Sequence, residues 1–183
     1  MSFGECYYDH YINYLKDPIR RSIIFINDNS PKIQILMFEH VFRDCIIFCT
    51  LGLTHYFKEK FEIFLPVEGD EKEVLLVFSS ILDFIVERNV VIERGIYFRN
   101  IAKLFPAFVY KYHKTAIYFT TPFGIPSSFD IVKCGERQGK IYQAIFISEI
   151  ECEYLEKNGV EELETLLEQK EIDIYQLSRE SCI

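Results

Sequence analysis

The residues of this chain with the clearest capacity for chemistry are carboxylates near its C-terminal end. Glu161, Glu162, Glu164 and Glu168 are followed closely by Glu171 and Asp173. Between them Val160, Leu163, Leu166 and Leu167 recur at helical spacing, so the glutamates should flank an apolar stripe and face solvent. A field of exposed carboxylates steers a basic partner and can occupy a site built to hold phosphate. Charged helix faces also arise for solubility alone, and the one-sided sign of this one favours a binding role. Because the stripe would dock the helix, reversing Glu161, Glu162, Glu164 and Glu168 to Lys is expected to leave the fold intact.

The charge balance isolates the same region. The formal net charge is -8, and the segment from Glu149 to Ile183 holds eleven acids against three bases, which accounts for the whole excess. Residues 1–148 carry seventeen of each sign and no basic footprint, so direct binding to nucleic acid is disfavoured.

Other reactive residues do not assemble. His10, His40, His55 and His113 lie far apart, with no HxxxH or CxxC beside them, and Cys45 and Cys49 stand about 13 Å apart if both lie on one strand. No metal or cofactor is implied. The six cysteines (Cys6, Cys45, Cys49, Cys134, Cys152, Cys182) read as free thiols of a reducing compartment, without disulfides. There is no GxSxG, P-loop or GxGxxG, and Thr50, Thr54 and His55 around Gly52 lack a third orienting group. Ser127 and Ser128 sit in a turn. Catalysis is not expected. The aromatic stretch Tyr97, Phe98, Phe105, Phe108, Tyr110 and Tyr112 reads chiefly as core, and any exposed part of it as a contact surface.

Positioning these residues requires a core, and 183 residues that are 49% hydrophobic and 16% aromatic can bury one; a single domain over 1–183 is expected. The N-terminus has no signal-peptide pattern, and the longest apolar runs, Val74 to Phe78 and Leu104 to Tyr110, fall short of the roughly 20 residues that cross a bilayer. A cytoplasmic location without membrane contact is the expectation. Helical spacing over Phe3 to Lys16 stops at Asp17-Pro18. Arg21 to Ile26 and Lys32 to Phe38 form a hairpin through Asn27-Asp28-Asn29-Ser30-Pro31, and Cys45 to Thr50 is a strand covered on both faces. Lys60 to Pro66 alternates like a strand with a wetter second face. Asp70 caps the longest helix, roughly Glu71 to Arg88. Gly95 to Tyr112 fits no single period and is expected to be irregular. Three strands follow over Thr115 to Thr121, Phe129 to Lys133 and Lys140 to Ile147, the last two joined through Cys134 to Gly139. Ser148-Glu149-Ile150-Glu151 opens a helix that stops at Asn158-Gly159, and a short helix starts at Val160. The fold class is α+β, a mixed, mostly antiparallel sheet packed with helices.

Certain strings in this order resemble the suppressor-of-fused-like domain family, whose bacterial members include immunity proteins of polymorphic toxin systems. They are Cys49-Thr50-Leu51-Gly52-Leu53-Thr54, the strand Glu59 to Pro66 with the helix after it, and Tyr118-Phe119-Thr120-Thr121-Pro122-Phe123-Gly124. Tyr142 to Ile147 leading into Ser148-Glu149-Ile150-Glu151, and Arg179-Glu180-Ser181, complete the set. The resemblance covers about Arg20 to the C-terminus. It implies a binding module: an immunity protein that occludes a cognate protein toxin such as a nuclease. The partner-binding residues, Glu161, Glu162, Glu164, Glu168, Glu171 and Asp173, come from the charge pattern and not from the resemblance. An adaptor clamping an extended peptide is the alternative it suggests, and an uncharacterised hydrolase remains a third.

Overall fold

Helices begin where a side chain can cap them. The computed structural model describes residues 1–24, 31–100 and 104–183. In it Ser2 and Glu5 form a capping box at the start of α1 (Phe3–Leu15), and Asp70 accepts from the Glu73 N–H to start α2 (Glu71–Glu87). Ser148 and Glu151 cap α4 (Glu149–Asn158) in the same reciprocal way, and Gly159 breaks the chain before α5 (Val160–Gln169). These starts agree with the sequence. A helix the sequence reading missed, α3 (Pro106–Tyr112), opens on Pro106 at its first position, where the absent N–H costs nothing. The region expected to be irregular thus holds α3 and the two-residue strand β5 (Tyr97–Phe98).

The other strands are β1 (Arg20–Ile24), β2 (Ile33–Phe38), β3 (Ile46–Leu51), β4 (Phe61–Val67), β6 (Ala116–Thr120), β7 (Ile131–Cys134) and β8 (Arg137–Ile147). They form one sheet in the order β1-β2-β3-β4-β8-β6-β5, with β7 paired to the first part of β8. Every pairing is antiparallel except β4 with β8. The mixed, mostly antiparallel α+β sheet therefore stands as expected. The turn residues Asn27 to Ser30 and the end of the first expected strand lie outside the described residues. The β7–β8 turn is tighter than expected, with Cys134 opposite Arg137 across Gly135-Glu136.

Helices cover both faces of the sheet. On one, Phe48, Ile63, Leu65 and Phe119 meet Val77, Phe78, Ile81 and Ile85 of α2 and Phe108 of α3. On the other, α1 packs Tyr7 and Tyr11 over Phe38, Cys49 and Phe64, while α4 and α5 pack Cys152, Leu155, Leu163 and Leu167 over Tyr118, Ile145 and Ile147. Each such large apolar side chain contributes about 1.5–3 kcal/mol on burial. Close approach of α1 requires Gly139, where a Cβ would collide with the Tyr7 hydroxyl. That hydroxyl donates to the carbonyls of Lys60 (3.1 Å) and Lys140 (2.8 Å).

Two expectations are corrected. All seven residues of β4 are buried, Glu62 and Phe64 included, because α1 covers the face that alternation marked as wetter. Cys6 of α1 and Cys134 of β7 are joined by a disulfide across 128 residues, and the other four cysteines are free and buried. Sequence spacing carries no trace of so distant a pairing. No helix among the described residues is long and apolar enough to cross a membrane.

Candidate functional site

The acidic end folds into α4, α5 and a C-terminal strap, and its carboxylates divide into used and unused. Arg94, just before β5, donates from Nε (3.2 Å) and Nη2 (2.5 Å) to Glu164 and from Nη1 (3.1 Å) to Glu161. Glu164 also accepts from the hydroxyls of Tyr118 and Thr120 on β6. Burial raises the pKa of Glu164, but Arg94 and the two hydroxyls outweigh it and hold the carboxyl below its ordinary value. Arg99 reaches Glu149, Glu153 and Glu156 on α4. Asp173 accepts from the Tyr175 N–H (3.0 Å). Glu162, Glu168 and Glu171 are exposed and form no ion pair with a described residue.

The expectation that the glutamates all face solvent is therefore corrected at Glu164, which is half-buried against β6. Reversing it to Lys would set an ammonium against Arg94 and leave two hydroxyls without their acceptor, so that substitution tests folding rather than docking. The sequence-defined set of six is thus only partly one surface: Glu164, Glu168 and Glu171 line a common cavity, while Glu161, Glu162 and Asp173 do not.

That cavity, about 460 Å³, is floored by Phe123, Ile145, Leu167, Ile172 and Ile174, with Thr120 and Thr121 beside the three carboxylates. Its wall depends on the strap. Glu171, at φ 50°, lies just past the end of α5 and turns the chain toward Ile172. Tyr175 stacks on Phe42 with ring centres 4.8 Å apart and donates to the Phe123 carbonyl (2.8 Å). Backbone bonds from Glu68 to Tyr175 and from Leu177 to Glu68 fix the strap along the end of β4.

A buried latch then closes the strap. Arg179 donates to both oxygens of Glu151, at 2.5 and 3.1 Å, and Glu151 accepts as well from the N–H groups of Ser148 (2.8 Å) and Cys182 (3.0 Å). Burial raises the Glu151 pKa, but these bonds and the Arg179 charge dominate and bring it down to about 2. Lys114 donates to the Arg179 carbonyl (2.7 Å), and burial followed by the Arg179 charge lowers its pKa to about 8. The C-terminal Arg179-Glu180-Ser181 string is thus a structural clasp.

The Thr50-Leu51-Gly52 turn has a comparable role. Glu62, fully buried, accepts from the Thr50 hydroxyl (2.7 Å) and from the N–H groups of Gly52 (2.8 Å), Leu53 (3.3 Å) and Thr54 (3.3 Å). Its pKa is raised by burial against the pull of those four donors. Gly52 adopts φ 126°, and a Cβ there would lie 2.5 Å from the Lys32 carbonyl oxygen. Thr50 and Thr54 therefore serve the turn, and His55 lines a separate, open cavity beside the start of α1.

The remaining candidates separate in the same way. His10 bonds the Phe129 carbonyl (3.0 Å), and among the described residues no three His, Cys, Asp or Glu side chains converge as metal ligands. Of the aromatic stretch, Phe108 and Tyr112 are core and Tyr110 is 85% exposed. The partners Arg94 and Arg99 were missed; their only sequence signal is that they are bases just upstream of an acidic segment.

The family model for Suppressor of fused protein (SUFU) matches residues 29–180, a span that contains the Glu62 turn, the cavity and the Arg179 clasp. Over 124 residues the chain is 27% identical to Immunity protein YqcF of Bacillus subtilis (strain 168), covering 68% of this chain and 63% of that protein. The chain thus spans less than two thirds of that relative's length. The crystal structure of a putative SUFU homologue from Neisseria gonorrhoeae FA 1090 aligns with a TM-score of 0.76 at 13% identity, covering 99% of this chain and 97% of that one. The Sufu–Fu complex aligns at 0.67 and 10% identity over 98% and 90% of the two chains. Drosophila Suppressor of Fused aligns at 0.66 and 9% identity over 99% of this chain and 50% of that one. At these identities the solved structures establish the fold, and the family match completes the assignment: the chain belongs to the suppressor-of-fused family.

Proposed function

We propose that the chain is an immunity protein, which binds a cognate protein toxin stoichiometrically and covers its active site without catalysis. The observation that carries this reading is the set of exposed carboxylates on and just after α5, Glu162, Glu168 and Glu171, which form no ion pair with a described residue after Arg94 and Arg99 have taken their partners. The likeness to Immunity protein YqcF supports it. A toxin that cleaves nucleic acid must present cations to hold phosphates, and a folded acidic surface can occupy that place at an electrostatically enhanced rate.

The test is co-expression with any toxin domain found encoded beside this gene, joined to stopped-flow association. The parent chain should restore growth. A variant with Glu162→Lys, Glu168→Lys and Glu171→Lys should fold normally and associate about tenfold more slowly at low salt, with a smaller deficit at high salt. Failure of the parent to restore growth overturns the reading, and unchanged kinetics in the folded variant remove this face from it.

A second reading, an adaptor that clamps an extended peptide, is favoured by β1, which among the described strands pairs with β2 alone and leaves its outer edge open. Hydrogen exchange separates the two. Protection of the β1 backbone in a complex supports the clamp, whereas protection confined to α5 and the strap supports occlusion.

A further inference from the structure

The cavity beside α5 joins two requirements that one kind of side chain meets. Its floor of Phe123, Ile145, Leu167 and Ile172 is apolar, while Glu168 and Glu171 on its rim have no cation of their own among the described residues. The nearest base in sequence, Lys170, is turned away and donates to the Cys182 carbonyl (2.7 Å). A purely apolar group seated here would dehydrate the carboxylates without compensation, and an anion would be repelled. An arginine fits both demands. Its three-methylene stem can lie on apolar surface, and its planar fork can bond two carboxylates at once. The same rim already binds one guanidinium, since Glu164 takes two N–H bonds from Arg94.

We infer that this cavity receives an arginine side chain of a protein partner, with the stem on the floor and the guanidinium between Glu168 and Glu171. The inference rests on the occlusion reading only for the partner being a protein; it adds the residue type that the partner inserts. In the complex such an arginine would be an anchor, held in contact while its neighbours exclude water.

The test needs no toxin. The 15N-labelled full chain is titrated with N-acetyl-arginine N-methylamide, and separately with its citrulline counterpart, a neutral isostere. Saturable shifts should appear at the amides of Thr120, Thr121, Leu167, Glu168, Glu171 and Ile172, with a Kd on the order of millimolar, as a single exposed side chain allows. Citrulline should give none. The double variant Glu168→Gln, Glu171→Gln should weaken binding about fivefold, the loss of two solvent-accessible ion pairs. Thr121→Trp, at an exposed wall position, should block the cavity while leaving every carboxylate in place.

Equal shifts with citrulline, or shifts spread evenly along α4 and α5 that disappear at about 0.15 M salt, overturn the inference in favour of general charge attraction. If arginine does not bind but the chain still neutralises its toxin, the occlusion reading survives and this one falls. If arginine binds but no toxin is neutralised, the reverse holds.

Discussion

Replacing Arg179 with Gln tests whether the buried latch holds the strap, and with it the cavity wall. Glu151 is completely buried, and the net effect of burial, Arg179 and the backbone donors is to depress its pKa from 4.5 to about 2. A shift of that size corresponds to about 3 kcal/mol of stability at neutral pH. The sign follows from the depressed value: the contribution is complete above pH of about 4.5 and is lost as pH falls toward about 2, so roughly 2 kcal/mol of it has gone by pH 3. Arg179→Gln leaves Glu151 buried without its guanidinium, so the variant should be about 3 kcal/mol less stable at pH 7, with a melting temperature roughly 6–12 °C lower. Urea unfolding followed by far-ultraviolet circular dichroism measures this at pH 7 and again at pH 3. The gap between parent and variant should narrow at the lower pH, because the parent alone loses the interaction; other carboxylates titrate in both and cancel. A gap under about 1 kcal/mol at pH 7, or one of equal size at both values, would refute the assignment of the latch.

Three further outcomes follow from the turn, its buried acid and the disulfide. Gly52→Val forces a side chain against the Lys32 carbonyl at a positive φ and should cost about 3 kcal/mol or more, read as a fall in melting temperature; a variant as stable as the parent would mean that the turn relaxes freely. Glu62→Gln points an amide donor at a ring of four donors and should destabilise by about 2–4 kcal/mol at pH 7. Because burial raises the Glu62 pKa, its ionisation costs stability as pH rises from about 4.5, and that slope should be missing from the Gln variant's urea midpoints. The Cys6–Cys134 bond closes a loop spanning 128 residues, so Cys6→Ser should lower stability by about 5 kcal/mol on a chain-entropy basis, and reductant should lower the parent's melting temperature by the same amount while leaving the variant unchanged.

What the sequence made legible and what it hid divide along one line, the distance in sequence over which an interaction acts. The capping boxes at Ser2 and Ser148, the Asp70 cap and the break at Gly159 are settled within four residues, and helices start and stop there as read. Even the missed α3 carried its signal in Pro106, obscured because its seven residues are too few to display a period. Glu62 was misread for a different reason. Alternation reports that a strand has two faces but not whether a helix covers the second, and here α1 arrives from well upstream in the sequence, two strands before its neighbour β3. The largest discrepancy is in charge. Summed along the chain, the acids from Glu149 onward form one block of excess negative charge. In space Arg94, 67 residues before Glu161 and 70 before Glu164, pairs with both, its single charge offsetting one of the two. A surface inferred from sequence is thus the total charge, whereas the surface a partner meets is what internal pairing leaves over. From Glu149 onward that remainder is Glu162, Glu168, Glu171, Asp173 and Glu180, and Glu168 and Glu171 border an apolar cavity. Charge reversal at Glu161 or Glu164 would therefore break contacts between α5 and Arg94, and only reversal at carboxylates outside such pairs, such as Glu162, Glu168 and Glu171, can report on docking.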